Sequence, residues 1–183
     1  MTAPPPAGPQ GGSLRDGGAV RGLRVRPARL SDADALQALS SASIRQVAAT
    51  HYSPAQVEAW ASTRTVSRHR RMIRETTVLV ADDAADRVGG FASIALAATG
   101  QLERGEVDQL FVAPEHGGRG VARLLLDAIE LAAARAGVSD LLTHASWRAV
   151  PVFERRGFRH VEVETVHIGD QVLTRALMRR RAP

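Results

Sequence analysis

The chain of 183 residues contains no cysteine. Disulfides, thiolate zinc sites and a cysteine nucleophile are therefore excluded, and a reducing cytoplasm is the compartment that fits. Lysine is missing too: all 24 basic residues are arginine. A P-loop, whose G-x-x-x-x-G-K-[ST] motif needs the lysine amine, cannot be built. Aromatic residues are scarce at 4%, with one tyrosine, Tyr52. No apolar run approaches the roughly 18 residues of a membrane span, so no membrane partner is expected. Residues 1–22 are rich in Pro and Gly and lack the apolar stretch of a signal peptide. They are expected to form a disordered tail ahead of a single domain at 23–183.

The chain does have an ordinary apolar content of 44% and a net charge of +5. A positive surface favours an anionic ligand. The runs "RHRRMIR" and "RRR" lack the interleaved aromatics of a nucleic-acid platform, so nucleic acid is not an expected partner.

Periodicity divides the domain. Leu23 and Val25 alternate up to Pro27, as in a first strand. Ser31 and Asp34 resemble a capping box opening a helix to about Val47. Ser53 followed by Pro54 opens a second helix, and "SRHRRMIRE" either extends it or forms a third. Then the period falls to two. "TTVLVADD" and "RVGGFASIALAA" read as strands around a polar turn, and "LERGEVDQLFVAP" as another, stopped by Pro114. A helix over 118–136 turns Leu124, Leu125, Ala128, Ile129 and Leu131 to the core and stops at Gly137. "SDLLTHA" reads as a short strand and "RAVPVFERRGF" as a short helix. Two alternating strands around Gly169-Asp170 form a hairpin. The order is that of one α/β (α+β) domain with a mixed sheet and flanking helices.

The segment "LFVAPEHGGRGVARLLL" combines strand, glycine-rich turn and helix. A helix N-terminus offers unpaired N–H groups and partial positive charge, and glycines let a phosphate approach. The dinucleotide fingerprint G-x-G-x-x-G fails at Arg123. What remains is a loop fit to hold a pyrophosphate on the amides of Gly118 to Ala122, with Arg119 and Arg123 nearby. A tight turn without a ligand is the other reading.

That segment also resembles the acetyl-CoA-binding motif of the GNAT N-acetyltransferase superfamily, a strand ending V-x-P followed by Q/R-x-x-G-x-G/A. Gly120 and Ala122 occupy the last two positions, and Gly117 stands where Gln or Arg is usual. "ASWRAVPVFERRGF" resembles the second motif, N-x-x-A-x-x-x-Y-x-x-x-G-F. Ala149, Gly157 and Phe158 match, while Ser146 replaces Asn and Phe153 replaces Tyr. "HYSPAQVEAWA" is similar to the substrate-side helices of one bacterial branch.

The resemblance implies a mostly antiparallel sheet whose two central strands, 106–112 and 139–145, splay to admit the pantetheine arm. Leu110, Phe111 and Val112 would bind that arm and polarise the thioester carbonyl. Gly117, Gly118, Arg119, Gly120, Val121, Ala122 and Arg123 would hold the pyrophosphate, and Ser146 would reach the CoA arm. Acetyl-CoA is the implied cosubstrate, without a metal, and a small-molecule or peptide amine the implied acceptor.

Direct attack by an amine needs a proton acceptor. Glu106 and Asp108, two apart on a strand, share one face, and Glu106 stands where some GNAT enzymes carry a base glutamate. His144 on the facing strand is a third candidate. Phe153 has no proton for the leaving thiolate. Tyr52 either supplies one or shapes the acceptor pocket with His51 and Trp60; simple core packing is the alternative. A non-catalytic acetyl-CoA sensor is the competing function, and sheet edges leave a homodimer open.

Overall fold

The computed structural model describes residues 22–181; the tail expected at the N-terminus lies, except for Gly22, outside them. Strand β1 (Arg24–Pro27) is followed by helices α1 (Ala33–Val47), α2 (Pro54–Ser62) and α3 (Val66–Glu75). Strands β2 (Thr77–Asp82), β3 (Val88–Ile94) and β4 (Val107–Val112) lead into α4 (Val121–Arg135). Then come β5 (Asp140–Ala145), the short α5 (Val150–Glu154) and the hairpin β6 (Arg159–Ile168) and β7 (Gln171–Arg181).

Local chemistry accounts for most boundaries. Ser53 Oγ accepts the Gln56 amide at 3.3 Å while Gln56 Oε1 accepts the Ser53 amide at 2.8 Å, so α2 opens on a complete capping box with Pro54 at its first position. The basic segment forms its own helix, α3, because Thr65 Oγ1 caps it by accepting the Arg68 amide. The box expected from Ser31 and Asp34 does not form. Asp32 instead accepts the Arg29 amide at 2.6 Å, closing a 3-10 turn at Leu30–Asp32, and the same carboxylate grips the Arg26 guanidinium at 2.7 Å. In α4 the buried stripe is Val121, Leu125, Leu126, Ile129 and Ala133. Leu131, expected in the core, is 45% exposed. The helix begins at Val121 rather than Gly118, because Gly118 and Gly120 hold positive φ values of 71° and 85°.

The strands form two antiparallel sheets, β1-β2-β3-β4 and β5-β7-β6. Helix α4 covers one face, packing Val121, Leu125, Leu126 and Ile129 on Ala92, Ile94, Leu141 and Met178. On the other face Leu36 and Met72 pack on Val78, Val80 and Phe91. β3 is covered on both faces and is buried along nearly its whole length. Among the described residues no helix is long and apolar enough to cross a membrane.

The two sheets meet where β4 and β5 run parallel, and they touch only at the strand roots. Glu106 and Leu142 form a single parallel bridge. The Leu142 amide donates to Gly105 O at 3.1 Å, and Thr143 Oγ1 donates to Val107 O at 2.8 Å. Beyond these contacts the strands diverge. Gly105 makes the approach feasible: its φ is +89°, and a Cβ there would lie 2.1 Å from Asp140 O.

Two tests follow from this packing. Gly105→Ala lowers the urea midpoint by an amount equivalent to roughly 2 kcal/mol or more, because neither the φ nor the backbone clash can be relieved locally. Gly100→Ala, in open space, leaves it unchanged; equal midpoints would refute the tight root.

The second concerns His69, buried beneath α1 at 1% exposure. Its Nδ1 donates to Thr65 O at 2.8 Å, and its Nε2 faces Ser40 Oγ at 3.3 Å. Burial pushes its pKa below the usual value, the Thr65 bond and Asp108 oppose this, and Arg64 and Arg68 reinforce it. Below about pH 6.5 the unfolded chain therefore takes up a proton that the folded protein refuses. Stability contributed by His69 is complete above that pH and lost as pH falls through it toward the folded-state pKa. Thermal melts between pH 7.5 and 5.5 should show His69→Gln with a shallower fall in Tm than the parent; equal slopes would count against it.

Candidate active site

Divergence of β4 from β5 leaves the outer side of β4 without a strand partner beyond Val107. Two cavities open along this gap. One, of about 690 Å3, runs from the β4 residues Leu110, Phe111 and Val112 along the glycine turn to the first turn of α4. The other, of about 410 Å3, lies between the same strand, β5, β7 and the α2–α3 corner. Trp60, Leu110, Phe111, Ser146 and Ala149 line both, so the cavities meet at the middle of β4.

The larger groove ends in donors. The amides of Gly118, Gly120, Val121, Ala122 and Arg123 have no backbone acceptor among the described residues. The 3-10 turn at Pro114–His116 delivers the chain to Gly117, and the two left-handed glycines bend it onto the helix axis. Unpaired N–H groups thus cluster at the positive end of a 15-residue helix dipole. Gly117, Gly118, Gly120, Val121, Ala122 and Arg123 all line the groove, as the sequence motif implies. Arg119 is exposed and is not part of its wall. Arg148 and Arg155, which the sequence reading did not single out, also reach it. Such a groove suits an elongated ligand with a phosphate at one end.

The smaller pocket holds the titratable groups. His144 on β5 places Nδ1 2.5 Å from Glu164 Oε2, and that oxygen also accepts Arg175 Nε at 2.8 Å. The carboxylate can only accept, so Nδ1 is the donor of this bond, and in the neutral imidazole Nε2 is the nitrogen with the lone pair. Burial opposes ionisation of Glu164, but the His144 and Arg175 contacts outweigh it and hold its carboxyl below the usual range.

Glu106 and Asp108 do not present themselves as a pair on one face. The β3–β4 register passes from Ser93↔Gln109 to Ile94↔Val107, so Asp108 is an extra residue in a bulge. Asp108 lines the pocket. Glu106 is 6% exposed, is not part of the wall, and accepts the Glu103 amide at 2.9 Å. Its other oxygen lies 3.7 Å from His144 Nε2, and burial pushes its pKa up. It faces the pocket only through the histidine.

Tyr52 and Trp60 both line the pocket, in edge contact at 5.8 Å. The Tyr52 hydroxyl donates to Thr174 O at 2.9 Å and accepts the Trp147 amide at 3.3 Å. It fastens the α1–α2 link to β7 and to the loop after β5, and its proton is already engaged. Phe153 lines the pocket beside Ala149 and carries no proton. His51, grouped with these residues on the sequence, is exposed and stands outside the pocket. Among the described residues no cluster of three or more His, Asp or Glu side chains could hold a metal ion.

Sequence reasoning missed Glu164, Arg175, Arg64 and Arg68. The first two were accessible: counting outward from the Gly169-Asp170 turn makes Glu164 and Arg175 cross-strand partners. The two α2–α3 corner arginines had no such signal, because nothing local says which way that corner faces.

Comparison with known proteins agrees with this geometry. Residues 48–173 match the acetyltransferase (GNAT) domain family. An uncharacterized N-acetyltransferase of Escherichia coli K12, YafP, is 31% identical over 160 residues, covering 87% of this chain and 97% of that protein. A GCN5-related N-acetyltransferase from Rhodopseudomonas palustris superposes with a TM-score of 0.78 at 30% identity, over 91% of this chain and 99% of its own. The PaiA N-acetyltransferase of Thermoplasma acidophilum, solved with coenzyme A, shares the fold at a TM-score of 0.70 and 17% identity, over 87% and 98%. With its splayed strands, glycine turn and matched domain, the chain belongs to the GNAT acetyltransferase family.

Proposed function

We propose that the protein moves an acetyl group from acetyl-CoA, lying in the 690 Å3 groove, to a primary amine of a small molecule or peptide in the 410 Å3 pocket. The amine attacks the thioester carbonyl directly. The observation that carries this reading is the junction of the two cavities at Leu110 and Phe111, beside the unpaired edge of β4. A thioester laid along that edge meets backbone groups of Leu110 to Val112 on one side and the acceptor on the other. Coenzyme A in the Thermoplasma acidophilum relative supports the choice of donor.

Each protein group then has a task. The free amides of Gly118, Gly120, Val121, Ala122 and Arg123 bind the pyrophosphate, and Ser146, shared by both cavities, contacts the arm. A backbone N–H of β4 stabilises the oxyanion that forms as nitrogen bonds to the carbonyl carbon. His144 takes the proton that the nitrogen must shed, on Nε2, and the resulting imidazolium lies between the carboxylates of Glu164 and Glu106. The C–S bond breaks and the CoA thiolate leaves. No phenol stands ready to protonate it, since Phe153 has none and Tyr52 is bonded to Thr174. A thiol pKa near 8.5 makes an unassisted thiolate tolerable. Asp108 on the pocket wall attracts the amine.

The test is acceptor-dependent release of CoA thiol across an amine panel. With any active amine, His144→Gln lowers kcat on the order of 10²-fold or more while acetyl-CoA affinity holds. Glu164→Gln lowers it less. Asp108→Asn raises KM with a smaller change in kcat. A His144→Gln variant with parental kcat would remove the histidine from the role of base. Tight acetyl-CoA binding without turnover of any amine would favour a sensor.

A further inference from the structure

The half-buried arginines of the described residues are Arg26, Arg64, Arg156, Arg175 and Arg180. Four have a carboxylate within 4 Å: Arg26 on Asp32 and Asp82, Arg156 on Asp127 and Glu130, Arg175 on Glu164, and Arg180 on Glu130. Arg64 has none. Its Nε and one terminal nitrogen donate to Thr63 Oγ1, at 3.1 and 2.9 Å, and its guanidinium makes no other bond among the described residues. One α-helical turn further, Arg68 makes no side-chain hydrogen bond or ion pair among the described residues. Both line the 410 Å3 pocket. Arg68 is exposed, but the Arg64 guanidinium is partly withdrawn from water with no carboxylate in contact, which is costly, and a bound anion removes that cost.

The two charges that bear on Arg64 act in opposite directions. Burial lowers the pKa of Arg64, Arg68 adds to the lowering, and Asp108 partly offsets it. The two arginines thus form a positive corner of the pocket near the single carboxylate of the β4 wall. The third arginine of the lining, Arg175, is already neutralised by Glu164. The fork of a guanidinium matches the oxygens of a carboxylate or phosphoryl group.

We infer that the acceptor is a small amine that also carries a carboxylate or phosphoryl group, the anion held by Arg64 and Arg68 while Asp108 draws the amine toward His144. This rests on the acetyl-transfer reading above. The arrangement recognises both ends of a zwitterion: a positive corner contributed by the α2–α3 link and a negative wall contributed by the β4 bulge. A pocket of about 410 Å3 accommodates an amino acid or a compound of similar size. Simple alkyl amines and polyamines would leave the guanidinium pair unmatched and bring further positive charge beside it.

Binding of product analogues tests the anion independently of turnover. In the presence of CoA, calorimetry compares N-acetylglycine, N-acetylalanine and N-acetylphenylalanine with their primary amides, and with the N-acetyl aminoalkylphosphonates. At least one acid or phosphonate should bind on the order of 10-fold to 100-fold tighter than the matching amide; whichever is preferred identifies the oxyanion. Arg64→Gln should abolish that preference and Arg68→Gln reduce it, with CoA affinity unchanged, and Arg64→Lys should restore part of it. Equal affinity of acid and amide, or binding of neither, overturns the inference. Thiol release with the free amino acids and their amides separates the two claims. Turnover of both alike leaves acetyl transfer standing and removes the anionic acceptor. Turnover of none, with the broad amine panel equally inactive, removes acetyl transfer, while the binding comparison still decides the anion site.

Discussion

The site depends on how little β4 and β5 touch. One bridge at Glu106 and Leu142, with bonds to Gly105 O and Val107 O, joins two sheets that are otherwise separate. If the parallel pairing ran the length of the strands, the backbone of Leu110 to Val112 would be spent on β5 and no donor could lie beside it. If the root were looser, the groove and the pocket would not meet at one point. Gly105 sets that balance by permitting an approach that any side chain would block. A ligand laid along the unpaired edge of β4, as proposed, would supply the missing hydrogen bonds.

Packing on either side of the splay keeps the angle fixed. α4 buries its stripe against both sheets, reaching Ala92 and Ile94 in one and Leu141 and Met178 in the other. On the pocket side, Tyr52 bonds to β7 and to the residue after Ser146, and Gln56 reaches Val172 O at 2.6 Å. The substrate-side helices are therefore tied to the second sheet by a few specific bonds, whereas their contact with the first is mainly apolar. The polar chain Glu106, His144, Glu164, Arg175 crosses the same gap from β4 through β5 to β6 and β7. The polar groups that tie the two sheets and those proposed for catalysis thus share the gap between β4 and β5.

Much of this was legible in the chain. The order of elements along the chain, the α2 capping box, the hairpin at Gly169-Asp170 and the glycine turn before α4 are set by neighbours within a few residues, where sterics and local hydrogen bonds decide. The groove residues from Leu110 to Ala122 lie in one continuous segment, so a motif names them together. The misses have physical causes. Leu131 is apolar but sits a step off the α4 stripe. Asp32 outcompetes the Ser31–Asp34 box because it serves the Arg29 amide and Arg26 at once. Glu106 and Asp108 part company because a bulge breaks the period-two rule that paired them.

The sequence by itself determined the element types, the glycine turn before α4 and the family to which they belong, since each is written in short-range patterns. Only the tertiary structure decided what the pocket contains. His144, Arg175, Arg64 and Arg68 come to its wall from β5, β7 and the α2–α3 corner and Asp108 from a bulge, while Glu164 on β6 holds His144 and Arg175. Their separations depend on the crossing of two sheets and the tilt of helices packed across them. Those quantities arise from long-range packing of apolar surfaces, which local sequence patterns do not encode.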